Sequence, residues 1–300
     1  MELWVIVTIA AAATQALRTA VQRRMTATLG NLGASYIRFS YAFPIAWLFC
    51  VLYSGYSGTA LPDLPASFWF WINLAALTQV IFTILLVQLF SHRSFAATVA
   101  FSKTEVLQTA IFEALILGVI VTVQTGVAIA LGVFATVLLS LAKADLAVAN
   151  LRAALFSRQV AIGLAAGAFL GFCTVCYGAA LHSMVGGDVI GNAMYATAIG
   201  TTVQAVCFGI YVFIVRREQF IASFVEWRQC GIAGVWAATT SVCWFAGFAL
   251  YSVAPVRAVG QIELLFSVGF SVLYFKERVS RVELTAIALL ATSIIMVLLD

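Results

Sequence analysis

Glu105 and Glu263 lie 158 positions apart inside apolar segments that align with each other without a gap. Laying residues 91–141 on 249–299 gives thirteen identities in fifty-one positions. Among them are Ser94/Ser252, Ala100/Ala258, Glu105/Glu263, Phe112/Phe270 and the run Ala128-Ile129-Ala130-Leu131 on Ala286-Ile287-Ala288-Leu289. Shared Leu and Ala say little in so apolar a chain. A carboxylate recurring in register says more, because charge near the middle of a bilayer costs a few kcal/mol on insertion scales. The chemistry this suggests is binding and release of a proton or a polar solute at a paired acidic site. Carboxylates in apolar surroundings resist ionisation, so such a site could exchange a proton near neutral pH.

Other polar residues fall inside apolar segments. Gln15, Arg18, Thr19 and Gln22 repeat at i, i+3, i+4 and i+7, one face of a helix that should border water or partner helices rather than lipid. Arg38 and Lys103 are further charges within apolar runs. At 100° per residue Glu105, Gln108, Thr109 and Phe112 share a face and Lys103 points nearly opposite; the later segment repeats the theme with Glu263, Phe266, Ser267 and Phe270. Arg18, Arg38 and Lys103 are the candidate bases for the two acids, and the spacing does not say which pairs with which. Glu113 aligns with Ser271 and ranks below the duplicated pair. Trp244, Trp236, Tyr177 and Tyr195 lie deep enough to line a cavity or to pack a core. Candidate substrate- or proton-binding residues are therefore Glu105, Glu263, Gln15, Arg18, Thr19, Arg38, Lys103, Gln108 and Trp244.

The elements that must position these residues are membrane spans. Hydrophobic residues make up 63% of the chain, charged residues 9%, and mean hydropathy is +1.06. A soluble domain carries about a quarter charged residues. One span takes roughly 20 apolar residues, so 300 residues admit about ten spans and no separate water-soluble domain. The hydropathy pattern predicts helices over 3–22, 34–53, 68–90, 95–117, 122–141, 158–181, 188–215, 230–252, 257–275 and 282–299. Turn-formers mark the connections at Gly30 to Gly33, Ser54 to Pro65 and Gly186-Gly187-Asp188. Asp188 and Ser280 are expected N-caps. The first helix lacks the basic flank and cleavage site of a signal peptide.

The expected fold is an all-α integral membrane protein of ten transmembrane helices arranged as two inverted five-helix repeats, 1–141 and 158–300, joined by the polar connection 142–157. An odd number of helices per repeat makes the two copies cross in opposite directions. Inverted repeats of this kind characterise secondary transporters, with the solute site near the midplane.

Each half ends with an acidic residue, about a dozen apolar residues, a polar turn and a final apolar helix. In the second half this reads Ile262-Glu263-Leu264-Leu265 and then Lys276-Glu277-Arg278-Val279-Ser280. It resembles the L-E-P followed by G-E-R-[LVI]-[ST] pattern of EamA-type carriers in the drug/metabolite transporter superfamily. Arg38 in Ile37-Arg38-Phe39 is similar to an Arg that those carriers often have early in their second helix. Leu264 replaces the usual proline, and the first copy reads Gly118-Val119-Ile120, without Glu or Arg. The resemblance implies export of amino-acid-like metabolites across the plasma membrane, with protons as a candidate coupling ion.

Basic residues predict orientation. Arg23, Arg24, Arg93, Lys143, Arg152, Arg158, Arg216, Arg217, Arg228, Lys276, Arg278 and Arg281 flank the odd-numbered connections, against Arg257 alone beside the others. The positive-inside rule then puts both termini outside. The net charge of +4 is too dispersed for a nucleic-acid surface. No cofactor or metal is expected: Cys173 and Cys176 form a lone C-x-x-C in an apolar helix, without a second pair or a nearby His. The expected partners are a small-molecule solute, protons and membrane lipids, with the chain as a monomer or weak dimer. A membrane-embedded enzyme would need acid/base or nucleophilic groups clustered at one interface. A channel would need repeated filter segments or an oligomeric ring. Neither pattern occurs in the sequence.

Overall fold

A computed structural model describes residues 2–59, 61–89, 102–142, 158–275 and 280–300. Arg93, Lys143, Arg152, Lys276, Glu277, Arg278 and the first part of the internal repeat lie outside the described residues, as do the side chains of Arg158, Ser267 and Phe270. The helices are α1 Leu3–Ser40, α2 Ala42–Ser57, α3 Ala66–Leu89, α4 Glu105–Leu117, α5 Val123–Ala142, α6 Arg158–Ser183, α7 Val189–Val215, α8 Arg217–Val225, α9 Trp227–Leu250, α10 Val253–Gly260, α11 Ile262–Phe275 and α12 Arg281–Leu298.

The chain is an all-α membrane protein. Among the described residues, seven helical segments are long and apolar enough to cross a membrane, fewer than the ten expected. Residues Leu3–Ser57 form one 55-residue run, and among the described residues the helices expected over 95–117 and 257–275 comprise α4, of 13 residues, and the pieces α10 and α11, of 8 and 14 residues. Apolar side chains face outward, with Leu115, Ile120 and Val123 all more than 70% exposed, while Glu105, Glu113, Thr136 and Gln204 are buried. That inversion suits lipid, where backbone groups bond within helices and polar side chains turn inward.

Two compact units make up the structure: Met1–Val80 with Cys173–Ser252, and Ile81–Phe172 with Val253–Asp300. Each draws segments from both halves of the sequence, and the boundaries fall inside α3 and α6.

In the first unit, Met25, Leu29 and Ile37 of α1 pack on Cys230 and Ala233 of α9. Ala42, Ala46 and Cys50 of α2 pack on Ala198 of α7 and Ala237 and Ala238 of α9. Small residues let the backbones approach, and van der Waals packing then holds helices that gain no hydrophobic stabilisation from leaving lipid. The turn expected over Gly30 to Gly33 is narrower than the sequence suggests. Helical geometry is lost at Gly30 alone, with φ 69° and ψ 175°. Gln219 of α8 fills this kink: its Oε1 accepts from Leu32 N at 3.1 Å and Gly33 N at 3.0 Å. A Cβ at Gly30 would lie 2.5 Å from the Gln219 amide nitrogen, so both the positive φ and the close approach require glycine. The short helix α8 was not anticipated from the sequence.

Asp188 caps α7 as expected. Its Oδ1 accepts from Ile190 N and Gly191 N at 3.0 Å each and from the Tyr53 hydroxyl at 2.8 Å, and Oδ2 accepts from Thr59 at 3.1 Å. Desolvation alone would raise this carboxyl, but the hydrogen bonds from Gly191, Tyr53, Thr59 and Ile190 outweigh it and hold it below its ordinary value. A depressed carboxylate contributes stability above its unfolded value of about 3.9 and loses it as pH falls through the lower folded value. Thermal midpoints of purified protein should therefore drop as pH falls below about 4. Asp188→Asn should flatten part of that drop, while Asp300, held low by bonds from Thr122 and Thr125, supplies another part. An identical acid limb in Asp188→Asn would remove Asp188 from the account.

In the second unit, α5 and α12 pack closely. Ser293 Oγ donates to Ala128 O at 2.6 Å, and a Cβ on Gly132 would come within 2.5 Å of that hydroxyl oxygen. Leu139, Val268 and Ala286 complete the contact. Ser280 caps α12 in a full capping box with Glu283, as its position predicts.

Candidate functional site

Both duplicated acids lie in the second unit, each at the start of a helix that follows a break. Ser102 is helical, Lys103 and Thr104 form a turn, and α4 begins at Glu105. In the later copy α10 ends at Gly260, Gln261 is a turn, and α11 begins at Ile262 with Glu263 in its first turn. Under the internal alignment Gln261 falls on Lys103, so the two breaks share one register. An acidic side chain in the first turn meets the positive end of the helix dipole.

The breaks correct two expectations. Helices over 95–117 and 257–275 are not continuous, and the second begins earlier, at Val253. Lys103 cannot be placed on a helical wheel with Glu105, because a turn intervenes. Its Nζ donates to Glu263 Oε1 at 3.0 Å. Glu105 Oε1 accepts from Arg257 Nη2, a residue that the sequence placed only at a helix edge. This second pair is the drier, with side chains 12% and 5% exposed against 31% and 16% for Lys103 and Glu263. Within this unit, then, the bases bonded to the acids are Arg257 and Lys103; Arg18 and Arg38 belong to the other unit.

Glycines on α6 set the position of the Glu105 turn. A Cβ on Gly171 would lie 3.0 Å from both Glu105 O and Thr109 Oγ1, and one on Gly167 would lie 3.0 Å from Ser102 O. Gln108 bonds through Nε2 to Thr104 Oγ1 at 3.3 Å and Leu164 O at 3.4 Å, so it braces the turn against α6. Gly171→Val should force the backbones apart, costing about 1–3 kcal/mol as overpacking usually does. A thermal unfolding series on Gly171→Ala and Gly171→Val should show graded loss; equal midpoints for all three proteins would contradict the close approach.

Glu113, which the sequence ranks below the duplicated pair, is 1% exposed. Its Oε1 accepts from Val253 N at 2.6 Å and its Oε2 from Ala254 N at 2.8 Å. One carboxylate thus satisfies two amides that open α10, the helix that carries Arg257. Gln261, at the second break, accepts from Thr136 Oγ1 at 2.8 Å through its Oε1.

The remaining candidates are in the first unit. Trp244, 6% exposed, donates from Nε1 to Gln15 Oε1 at 2.8 Å. Thr19 is exposed and bonds back to Gln15 O at 2.8 Å, so of the stripe it is the member turned to its own helix. Arg38 has its guanidinium 4.5 Å over the Phe39 ring, and its electrostatic neighbours include Arg18 and Tyr177. A polar cluster missed in the sequence lies here too. Gln79 Oε1 accepts from Gln204 Nε2 at 2.5 Å, from the Tyr177 hydroxyl at 3.1 Å and from Cys173 Sγ at 3.8 Å. Gln204 and Tyr177 are each 2% exposed. Lone amides in apolar helices were the available signal, since they must find partners in lipid. Among the described residues there is no group of His, Cys, Asp or Glu arranged to hold a metal ion.

No family model and no curated protein sequence matches the chain. A solved crystal structure, described only as that of a protein, aligns over 99% of this chain and 99% of its own, with a TM-score of 0.74 and 12% identity. At that identity the likeness establishes a shared fold and nothing about activity.

Proposed function

We propose that the protein is a secondary transporter that moves a small polar or amphipathic, amino-acid-like metabolite across the plasma membrane by alternating access. Its direction in this reading is export and its coupling ion a proton. The observation that carries the proposal is the crossed ion pairing: Lys103 of the first half bonds Glu263 of the second, and Arg257 of the second half bonds Glu105 of the first. Paired charges set at helix breaks in register are a costly way to pack a membrane protein. They are an apt way to build two arrangements whose ion pairs exchange with solute or proton.

The reading includes ten spans in two inverted repeats. The run Leu3–Ser57 has 55 residues, about 80 Å at 1.5 Å per residue, which is more than two thicknesses of a ~30 Å hydrocarbon core. Its break at Gly30 lets it count as two spans. The pieces α10 and α11 count as one broken span, and α4 with the residues before it as another. The EamA-like motif around Glu263 supports the same class. The basic residues favour termini outside the cytoplasm, which a C-terminal reporter active only in the cytoplasm would overturn.

Purified protein in liposomes should show saturable solute flux with counterflow, with export faster when an inward-directed proton gradient drives it by exchange. Linear conductance would mean a channel. Chemical conversion of a lipid or solute without flux would mean a membrane enzyme.

A further inference from the structure

We infer that α8 and the helix ends beside it form a docking surface for anionic phospholipid, its headgroup held by Arg216, Arg217 and Arg228, and that lipid seated there steadies the Gly30 kink of α1 through Gln219. Such a surface requires the membrane fold but not the carrier activity, and all of its residues belong to the first unit. For a helix in water, α8 is inside out. Gln219 and the buried Ser223 turn onto the rest of the unit, where Gln219 bonds α1 and the Ser223 carbonyl accepts from the Tyr41 hydroxyl at 2.8 Å. Ile221, Phe224, Val225 and Trp227 are instead each half or more exposed. The apolar strip leads on from Ile210 and Ile214 of α7, which are exposed in the same way, so the medium that covers the span covers α8 as well. A short helix with an apolar outer face beside the end of a span suits the headgroup boundary of a bilayer.

Charge selects the lipid. Arg216 and Arg217 open α8, Arg228 lies in the first turn of α9, and all three are exposed. The Arg217 guanidinium lies 5.3 Å from the centre of the Phe213 ring and that of Arg228 lies 5.4 Å from the Trp227 ring. Both charges thus ride on an apolar rim, as side chains do when they snorkel to headgroups. Arg23 and Arg24 are exposed on the turn of α1 whose Val21 and Met25 share a packing cluster with Ala222 and Cys230. Glu218 and Glu226 are the carboxylates of α8 and its flanks, so positive charge is in excess. Neither ion pair among the described residues uses these arginines. Continuity with the surface of the span favours lipid over a protein partner, and the positive excess favours an anionic headgroup over a zwitterionic one. The link to α1 is direct. Helical geometry breaks at Gly30, and a new helix start needs acceptors for its first amides. Gln219 supplies one to Leu32 N and Gly33 N, so lipid that fixes α8 also fixes this contact.

Full-length protein in dodecyl maltoside micelles, titrated with phosphatidylglycerol or phosphatidylcholine and read by native mass spectrometry, tests the surface. Phosphatidylglycerol should bind about tenfold tighter than phosphatidylcholine. Combining Arg216→Gln, Arg217→Gln and Arg228→Gln should cut that preference to about twofold or less. Arg217→Gln alone should lower it about twofold, which keeps the test open if the triple variant does not fold. Inorganic phosphate should not displace the lipid, since it has no acyl chain to lie on the apolar strip. Hydrogen exchange reads the link to α1. With phosphatidylglycerol at about ten times its Kd, exchange at Leu32 and Gly33 should slow by about tenfold. Gln219→Ala should lose that slowing while still binding the lipid. Equal affinity for the two lipids, an unchanged preference in the arginine variants, or displacement by phosphate would overturn the lipid surface. A dimer that forms without lipid and is lost in the triple variant would overturn it too, by giving the surface to a second copy of the chain. Unchanged exchange at Leu32 and Gly33 in the lipid-bound parent would overturn the link to the kink.

Discussion

Glu105→Gln should reduce solute flux by at least about a hundredfold, and Glu105→Gln with Arg257→Gln should not restore it. Glutamine keeps the shape and most of the hydrogen bonding of glutamate but cannot ionise. The single variant leaves the Arg257 guanidinium, 12% exposed, without its counter-charge. Breaking one side of a buried pair costs about 3–5 kcal/mol, so part of its defect will be folding. The double variant removes both charges and should recover most of the stability, since neutral replacement of a buried pair is often nearly free. This separates a working pair from a strut. A strut is repaired by the double change, whereas a pair that must open and close during transport is not. Flux per folded molecule in liposomes, with thermal midpoints for all four members of the cycle, provides the test. Recovery of parental flux in the double variant would reduce the pair to architecture. Glu263→Gln should act similarly but with a smaller folding penalty, because Lys103 is 31% exposed and can be solvated.

A large loss of stability should come from Glu113→Ala. The two amides that Glu113 accepts from, Val253 N at 2.6 Å and Ala254 N at 2.8 Å, are buried at the start of α10. Removing the carboxylate leaves both donors unsatisfied and opens a cavity. Each unsatisfied buried group costs about 1–3 kcal/mol, so a total of about 3–5 kcal/mol is expected. Glu113→Gln should lie between, since one amide oxygen can serve one donor while its NH2 faces the other. Fluorescence-monitored thermal unfolding in detergent would rank the three proteins. Glu113→Ala within about 1 kcal/mol of the parent would mean that water or a neighbouring group replaces the cap. The contrast with the double variant Glu105→Gln with Arg257→Gln is diagnostic: Glu113→Ala should lose folded protein, whereas the double variant should lose flux while keeping most of its stability.

Much of this protein was determined by local sequence. Apolar runs of about 20 residues specify membrane helices because an unbonded backbone cannot enter lipid. Asp188 and Ser280 announce the starts of α7 and α12 because capping bonds reach only two or three residues. The duplicated acids were visible because charge in an apolar segment is too unfavourable to recur by accident. What only the tertiary structure decided is which groups meet. Arg257 and Glu105 are 152 residues apart, Lys103 and Glu263 are 160, and Gln219 and Leu32 are 187. No periodicity links positions so distant. Helix breaks at Lys103-Thr104 and Gln261 were equally hidden, since neither has a proline to mark it, and the second is accompanied by a buried Thr136 bond that no local pattern encodes. Glu113 looked minor because its partners are main-chain amides, which carry no residue-type signal at all. Sequence specified apolar helices and the charges within them; the fold chose their partners, because bonding in lipid is satisfied by whichever polar group the packing brings within reach.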